Sequence, residues 1–469
     1  MAENPSNGTR EAAEAQFFQG ARHMTAERHA EAEQSFRRAL AMAPDMAEAW
    51  SNLGLMLEAR HEDSAAEASY RQALALRPHL AETQVNLGGL LARHKRFDEA
   101  EAAYAQALRL DPHRPGTWSN LGVLYASQRL DDEAEACFER ALAMAPTLPR
   151  ARFNLGVMRL RQGRLAEGWA GLEARDWYAG LNRRLPCPRW SGGPLEGRAM
   201  LIGYEVGHGD MVQFARYVRL LKSRGAGEVT LLCHPALKRL FRTLEGVDHL
   251  LGFDEPWPDG DAGMGWDVWS PLMSLPFLFE TRLDNLPAQL PYLHAEPGLA
   301  ASWADALGAA PGLRVGLVWK GNPGFENDAD RSLPSLSVLA PLWEVGGVRF
   351  ISLQKGAGED EAAAPPAGQP LLHLGGRMAD FADAAAIMVH LDLVIAVDTA
   401  MAHLAGAMGK PCWLLLPHYQ TDWRWFEDRT DSPWYPGVMR LFRQSPGGDW
   451  TPVVQAIAQA LQTLVDERL

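Results

Sequence analysis

The chain predicts two architectures in series: a helical repeat array, then an α/β body of two doubly wound parallel sheets. Three observations carry this. Pro44, Pro78, Pro112 and Pro146 recur at a fixed 34-residue spacing in the first third. That period stops after Asp176, and short apolar runs then alternate with amphipathic stretches, the pattern of parallel strands with crossover helices. At 469 residues the chain also exceeds what one ordinary core holds.

Composition narrows the function classes. A formal charge of -13 argues against a surface that recruits nucleic acid or anionic lipid, because both need a basic face. The start, "MAENPSNGTREAAEAQ", does not resemble a secretory signal. Apolar runs such as "LDLVIAV" are far shorter than the roughly 20 residues of a membrane span, so no transmembrane segment and a cytoplasmic location are expected. Cys137, Cys187, Cys233 and Cys412 are widely spaced and lack a zinc pattern. They are expected to be reduced, buried small residues, with no metal site.

The front array is expected over residues 13–180, after a flexible N-terminus at 1–12. Leu53, Leu87, Leu121 and Leu155 are each followed by glycine, at 54, 88, 122 and 156. Later in each unit come Ala32, Ala66, Ala100 and Ala134, then Phe36, Tyr70, Tyr104 and Phe138, then Ala39, Ala73, Ala107 and Ala141. Small residues let the helices of a pair approach closely, aromatics fill the gap to the next pair, and Pro ends the second helix. The pattern resembles the tetratricopeptide repeat family. A fifth unit has Gly168 and Leu172 in the Ala and aromatic slots and Arg175 where Ala is expected, which suits a modified cap that docks onto the next part of the chain. Asn52, Asn86, Asn120 and Asn154 precede each Leu-Gly pair. The resemblance puts them on a concave groove, where amides can bond an extended acceptor peptide; the alternative is that Asn is merely common there.

Residues 181–198 form a Pro-, Gly- and Arg-rich linker. An N-terminal half at 199–297 then starts with strand "AMLIGYE", exit "GHGD", helix "MVQFARYVRLLKSRG" and a second strand "EVTLLCH". A C-terminal half at 298–469 has strands "RVGLVWKG", "VRFISLQKG", "DLVIAVD" and "PCWLLLP", with the joint between halves near "HAEPGLAASWADAL". Ligands of open parallel sheets bind at strand carboxyl ends. Polar groups gather there: Asp210, Lys320 with Asn322, Gln354 with Lys355, and Asp398 with Thr399.

At these exits the second part resembles the heptosyltransferase-like glycosyltransferases of family nine. "GHGDMVQFARYVRLLK" looks like their Gly-Asp motif and "VDTAMAHLAGAMGKP" like their Asp-Thr motif, with Ala400 where Gly is usual and Gly406 where Ala is usual. The architecture is similar to the O-linked N-acetylglucosamine transferases, whose repeats present protein acceptors. The resemblance implies two Rossmann-like domains facing a cleft (the GT-B fold), a nucleotide-diphosphate sugar as co-substrate, inversion and no obligatory metal or other cofactor.

Such a transferase must activate a hydroxyl and stabilise a departing diphosphate with protein groups. Asp210 is the expected base, with a helix cap as the competing explanation and His208 as a second candidate. Thr399 at a helix start suits phosphate, with Asp398 and His403 beside it; a cap and a packing histidine are the alternatives. Arg331 and Lys320 flank a polar loop and could hold the diphosphate. Gln354 and Asp422 complete the expected donor set, Arg424 is a further polar candidate, and Trp423, Trp425 and Trp434 either stack on a ligand or plug an interface. The expected activity is sugar transfer to an acceptor hydroxyl on a protein held by the repeats. The alternatives are a scaffold with a degenerate transferase half, or transfer to lipopolysaccharide or a lipid-linked glycan.

Overall fold

A computed structural model describes residues 7–185, 187–256, 265–309 and 311–468. Two compact units result, Met1–Leu155 and Gly156–Leu469.

The first unit is built from antiparallel helix pairs: α1 (Asn7–Thr25) with α2 (His29–Met42), α3 (Ala47–Ala59) with α4 (Asp63–Leu76), α5 (Ala81–Arg93) with α6 (Phe97–Leu110), and α7 (Pro115–Ser127) with α8 (Asp131–Met144). The expected flexible N-terminus is corrected from Asn7 onward. Residues 7–12 are the first turns of α1, which is held to α2 through the fully buried Ala13; residues 1–6 lie outside the described residues. The aromatics do not simply bridge to the next pair. A Cβ on Gly54 would lie 2.5 Å from the Tyr70 ring, and Gly20, Gly88 and Gly122 meet Phe36, Tyr104 and Phe138 in the same way. Each ring therefore seats on the glycine of its own pair, where a buried aromatic is worth roughly 1.5–3 kcal/mol. The turn inside each pair takes a left-handed residue at the same 34-residue step: Glu27 (φ 57°), His61 (61°), Lys95 (58°) and Arg129 (62°). First helices of successive pairs touch one another (α3 with α5, α5 with α7). Asn52, Asn86 and Asn120 sit half-buried on these helices.

Helix α9 (Pro149–Arg161) carries Asn154 and runs into the second unit, where it pairs with α10 (Leu165–Leu172). There Gly156 lies directly on the α10 backbone, its Cβ position 2.7 Å from Gly171 Cα. Short helix α11 (Ala179–Arg184) comes next. The predicted linker is not a free connector: Trp190 and Leu195 are buried, and residues 188–190 bond to Trp269.

Two parallel sheets complete the unit. The first has β1 (Met200–Gly203), β2 (Val229–Cys233), β3 (His249–Gly252) and β4 (Val268–Pro271) in the order β3-β2-β1-β4, with Met200 in register with Val229 and Val268. The second has β5 (Leu313–Val318), β6 (Val348–Ser352), β7 (Leu372–His373), β8 (Leu393–Val397), β9 (Cys412–Leu416) and β10 (Met439–Arg443), ordered β10-β9-β8-β5-β6-β7. Each order reverses beside its first strand, at β1/β4 and at β5/β8, the switch points where such sheets bind ligands. This is the GT-B arrangement expected from the sequence.

The helices of this part are α12 (His208–Phe214), α13 (Val218–Ser223), α14 (Pro235–Phe241), α15 (Leu275–Leu278), α16 (Pro297–Leu307), α17 (Asp328–Arg331), α18 (Glu359–Ala363), α19 (Phe381–Met388), α20 (Ala400–Ala407) and α21 (Thr451–Asp466). The joint expected near His294–Leu307 is mostly α16, begun by Pro297 and fixed to α19 by a 3.0 Å bond from Trp303 Nε1 to Asp383. The terminal helix packs as expected: Val453, Val454, Ile457, Leu461 and Val465 join the core over β5, β8 and β9. Cys137, Cys233 and Cys412 are free and buried, whereas Cys187 is half-buried.

Arg216 ties the halves together. Its wholly buried guanidinium donates to the carbonyls of Gln213 (2.8 Å) and Trp434 (2.6 Å) and to Tyr292 Oη (3.0 Å). The rings of Tyr292 and Tyr435 lie 4.8 and 4.7 Å from it.

Candidate functional site

A cavity of about 630 Å³ opens at the carboxyl ends of β1, β5, β6 and β8. Asp210, Lys320, Arg331, Gln354, Asp398, Thr399, His403 and Asp422 all line it, whereas Trp423, Trp425 and Trp434 do not. The four Asn residues belong to the first unit, at one position of successive first helices of the repeat pairs.

Asp210 sits in the first turn of α12, three residues after Gly207 at the N-cap position, and its carboxylate reaches back to the Gly207 backbone. Its carboxylate pairs with Arg424, which also donates to Asp422 Oδ2 (2.8 Å) and to Gln213. The Asp422 side chain in turn accepts the Arg424 backbone N–H at 2.9 Å. Burial raises the Asp210 carboxyl above its ordinary range, and the Arg424 charge opposes that rise. The result is a carboxylate held in one orientation and made more basic than a solvated one.

Asp398 and Thr399 leave β8 at the start of α20. Thr399 occupies the N-cap position, yet its hydroxyl caps nothing and is buried without a hydrogen-bond partner. The first peptide N–H groups of α20 also lack carbonyls of a preceding turn, which leaves them for an anion. Burial and the nearby Asp422 push Asp398 up to about 7, against the favourable effect of Trp425, Arg331 and Arg424. Asp398 is therefore partly neutral near pH 7, which lowers its repulsion of phosphate. His403 Nε2 lies 4.0 Å from Asp398, and Nδ1 bonds Tyr435 Oη at 2.8 Å. Burial and two arginines keep His403 neutral. Gly406 is where Tyr435 approaches: a Cβ there would lie 2.5 Å from its ring. Ala400 begins α20 without a positive φ, so this helix start does not require glycine.

The basic residues are unequal. Lys320 is paired with Glu361 at 2.7 Å, and Arg331 with Asp328 at 3.2 Å, beneath the half-exposed Phe325 ring. Lys355, on the same cavity wall, donates to the Met378 carbonyl at 2.6 Å. Gln354 is a correction to the donor set. Its Oε1 accepts from the Trp319 and Lys320 backbones, its Nε2 donates to Lys320 and Ala357 carbonyls, and it is 1% exposed. Every amide valence braces the loop, leaving none for a ligand. His208 faces the cavity with Nε2 buried and unpartnered; burial and the His234 ring, 4.0 Å away, push it down to about 4.

The stacking role considered for the tryptophans is also corrected. Trp423, Trp425 and Trp434 are buried, and Trp423 and Trp434 pack edge-on to Trp169 at 5.3 and 6.2 Å. They form core, while Arg424 between them pairs with Asp210 and Asp422. Among the described residues no group of three or more His, Cys, Asp or Glu is placed to hold a metal ion, and no helix is long and apolar enough to cross a membrane.

Family models match two parts of the chain. Tetratricopeptide repeat models match residues 19–81, 79–147 and 119–179, and the glycosyltransferase family 9 (heptosyltransferase) model matches 338–415, which includes Asp398, Thr399 and His403. Protein FlbA of Caulobacter vibrioides is 30% identical over 330 residues, 65% of this chain and 53% of FlbA. The chain thus spans about half the length of that relative. Among solved structures, the type IV pilus biogenesis factor PilW is 26% identical (TM-score 0.34; 36% of this chain, 78% of PilW). The tetratricopeptide protein TTC0263 of Thermus thermophilus is 25% identical (TM-score 0.32; 37% and 96%). The chain carries tetratricopeptide repeats over residues 19–179 and, over residues 338–415, a segment that matches the glycosyltransferase family 9 (heptosyltransferase) model.

Proposed function

We propose that the protein transfers a sugar from a nucleotide-diphosphate sugar to an acceptor hydroxyl, with inversion and by protein groups alone. The acceptor is a protein recruited along Asn52, Asn86, Asn120 and Asn154, and the reaction takes place in the cytoplasm. The observation that carries this is the pairing, across one cavity, of a half-buried carboxylate at the β1 exit with an uncapped helix start at the β8 exit. Asp210 takes the proton of the hydroxyl as its oxygen attacks the anomeric carbon, and the bond to the diphosphate oxygen breaks on the opposite face. The α20 N–H groups, Thr399 and Arg331 receive the charge that develops on the leaving group. Neutral Asp398 and His403 offer hydrogen bonds to donor hydroxyls.

The test is a screen of nucleotide sugars with cellular protein as acceptor, read by mass spectrometry, for wild type and Asp210→Asn. Transfer by the wild type, lost by ~10²-fold or more in Asp210→Asn with nucleotide binding retained, is the expected result. Full activity of Asp210→Asn would remove the base from this scheme.

A further inference from the structure

We propose that Arg175 is a positioning residue for the loop Tyr204–Asp210, acting through a buried bond to Glu205. For its catalytic consequence this rests on the role proposed above for Asp210.

Residue 175 falls in the slot that Ala39, Ala73, Ala107 and Ala141 occupy in the earlier pairs, where each alanine is fully buried. The arginine that replaces them is buried too: its side chain and that of Glu205 are both 0% exposed. All five of its N–H groups are used. Nε and Nη2 grip Glu205 with two bonds of 2.9 Å, Nη2 also reaches Ser274 Oγ (2.8 Å), and Nη1 donates to Glu173 (2.9 Å) and the Leu172 carbonyl (3.0 Å). Glu205 accepts one further bond, from the Met273 backbone at 2.9 Å. Arg189 pairs with Glu173 and balances the second carboxylate, so the buried set is electrically neutral.

Such a set is weak as a source of stability, since apolar residues of equal volume often serve a fold better. It is strong as a fixture, because a two-pronged guanidinium-carboxylate contact admits one geometry. What it fixes is the segment leaving β1. Glu205 lies five residues before Asp210, with Gly207 starting the helix between them. The helix pair that ends the repeats is thereby joined, inside the second unit, to the backbone that carries the carboxylate.

The test is hydrogen exchange of the full chain, comparing wild type with Arg175→Met, followed on peptides covering 204–210 and, as a control, 393–397. We expect exchange in 204–210 to rise at least tenfold while the control is unchanged. In the transferase assay kcat should fall at least tenfold with donor KM unchanged, the signature of a misplaced reacting group rather than lost binding. Unchanged exchange at 204–210 in folded Arg175→Met, or a loss confined to KM, overturns the proposal. If Arg175→Met does not fold, Arg175→Met with Glu205→Met leaves no unpaired charge, and wild-type exchange at 204–210 in that variant overturns it equally. Absence of transfer by the wild type would instead remove the function proposed above, and the exchange measurement would still decide the role of Arg175.

Discussion

Gly406→Ala restores the residue usual in the resembling family, and here it should be harmful. The new Cβ would lie 2.5, 2.6 and 2.8 Å from Cδ1, Cγ and Cε1 of Tyr435, against ordinary contact from 3.4 Å, so the ring must retreat by about 0.9 Å. It has little room: Tyr435 is fully buried, with the Arg216 guanidinium 4.7 Å from its centre and its hydroxyl on His403 Nδ1 at 2.8 Å. Overpacking of this kind costs about 1–3 kcal/mol, and loss of the phenol-imidazole bond adds about 1 kcal/mol. The better helix propensity of alanine offsets about 1 kcal/mol. The net expectation is destabilisation by about 1–3 kcal/mol, or a melting midpoint lowered by roughly 1.5–4.5 °C for a unit the size of Gly156–Leu469. Calorimetry of the full chain measures it. A variant melting within about 1 °C of wild type, with unaltered nucleotide binding, would refute the argument that Gly406 exists to admit Tyr435.

Three further variants have expected outcomes. Arg424→Gln removes the charge that opposes the rise of Asp210, so the acid limb of the rate profile should move to higher pH, with a larger loss at pH 6 than at pH 8.5; an unshifted limb would contradict the pairing. Asp398, raised to about 7, is neutral below that pH and charged above it. Nucleoside diphosphate affinity should therefore fall as pH rises through 7, and Asp398→Asn should flatten this titration. The same group costs stability increasingly from the ordinary carboxylate range up to about pH 7, so Asp398→Asn should gain more in melting temperature at pH 8 than at pH 5. Lys95→Gly relieves a left-handed lysine (φ 58°) at a repeat turn and should be neutral or stabilise the first unit by up to about 1 kcal/mol in urea denaturation, whereas the same change at a helical site would destabilise it.

The repeats were legible because each slot answers to one contact: glycine at 54 because the Tyr70 ring lies on it, alanine at 66 because it is fully buried. Strand exits were legible for a similar reason, since a parallel strand must end where its polar residues begin. Arg424 was harder to assign, because its meaning depends on Asp210 and Gln213, more than 200 residues away in sequence. Gln354 looked like a ligand residue for want of any local sign that backbone groups would consume its amide. The tryptophans near 425 misled because aromatic density is the same signal for a stacking platform and for a core. The Arg175 departure was visible, and its partner Glu205 was not, since nothing along the chain marks which carboxylate will be buried opposite it.

The guanidinium of Arg216 has a bearing on how the cleft can work. It is satisfied by one carbonyl from its own half, one from the other and a phenol from the segment joining them. Swinging the halves apart at this point would strand a cation in a dry interior, a penalty of several kcal/mol. Any widening of the cavity is then expected at its rim, where exposed residues such as Phe325 line it, and not at this joint. A chain cut at the joint is thus expected to leave the Arg216 guanidinium short of the Trp434 carbonyl in one piece.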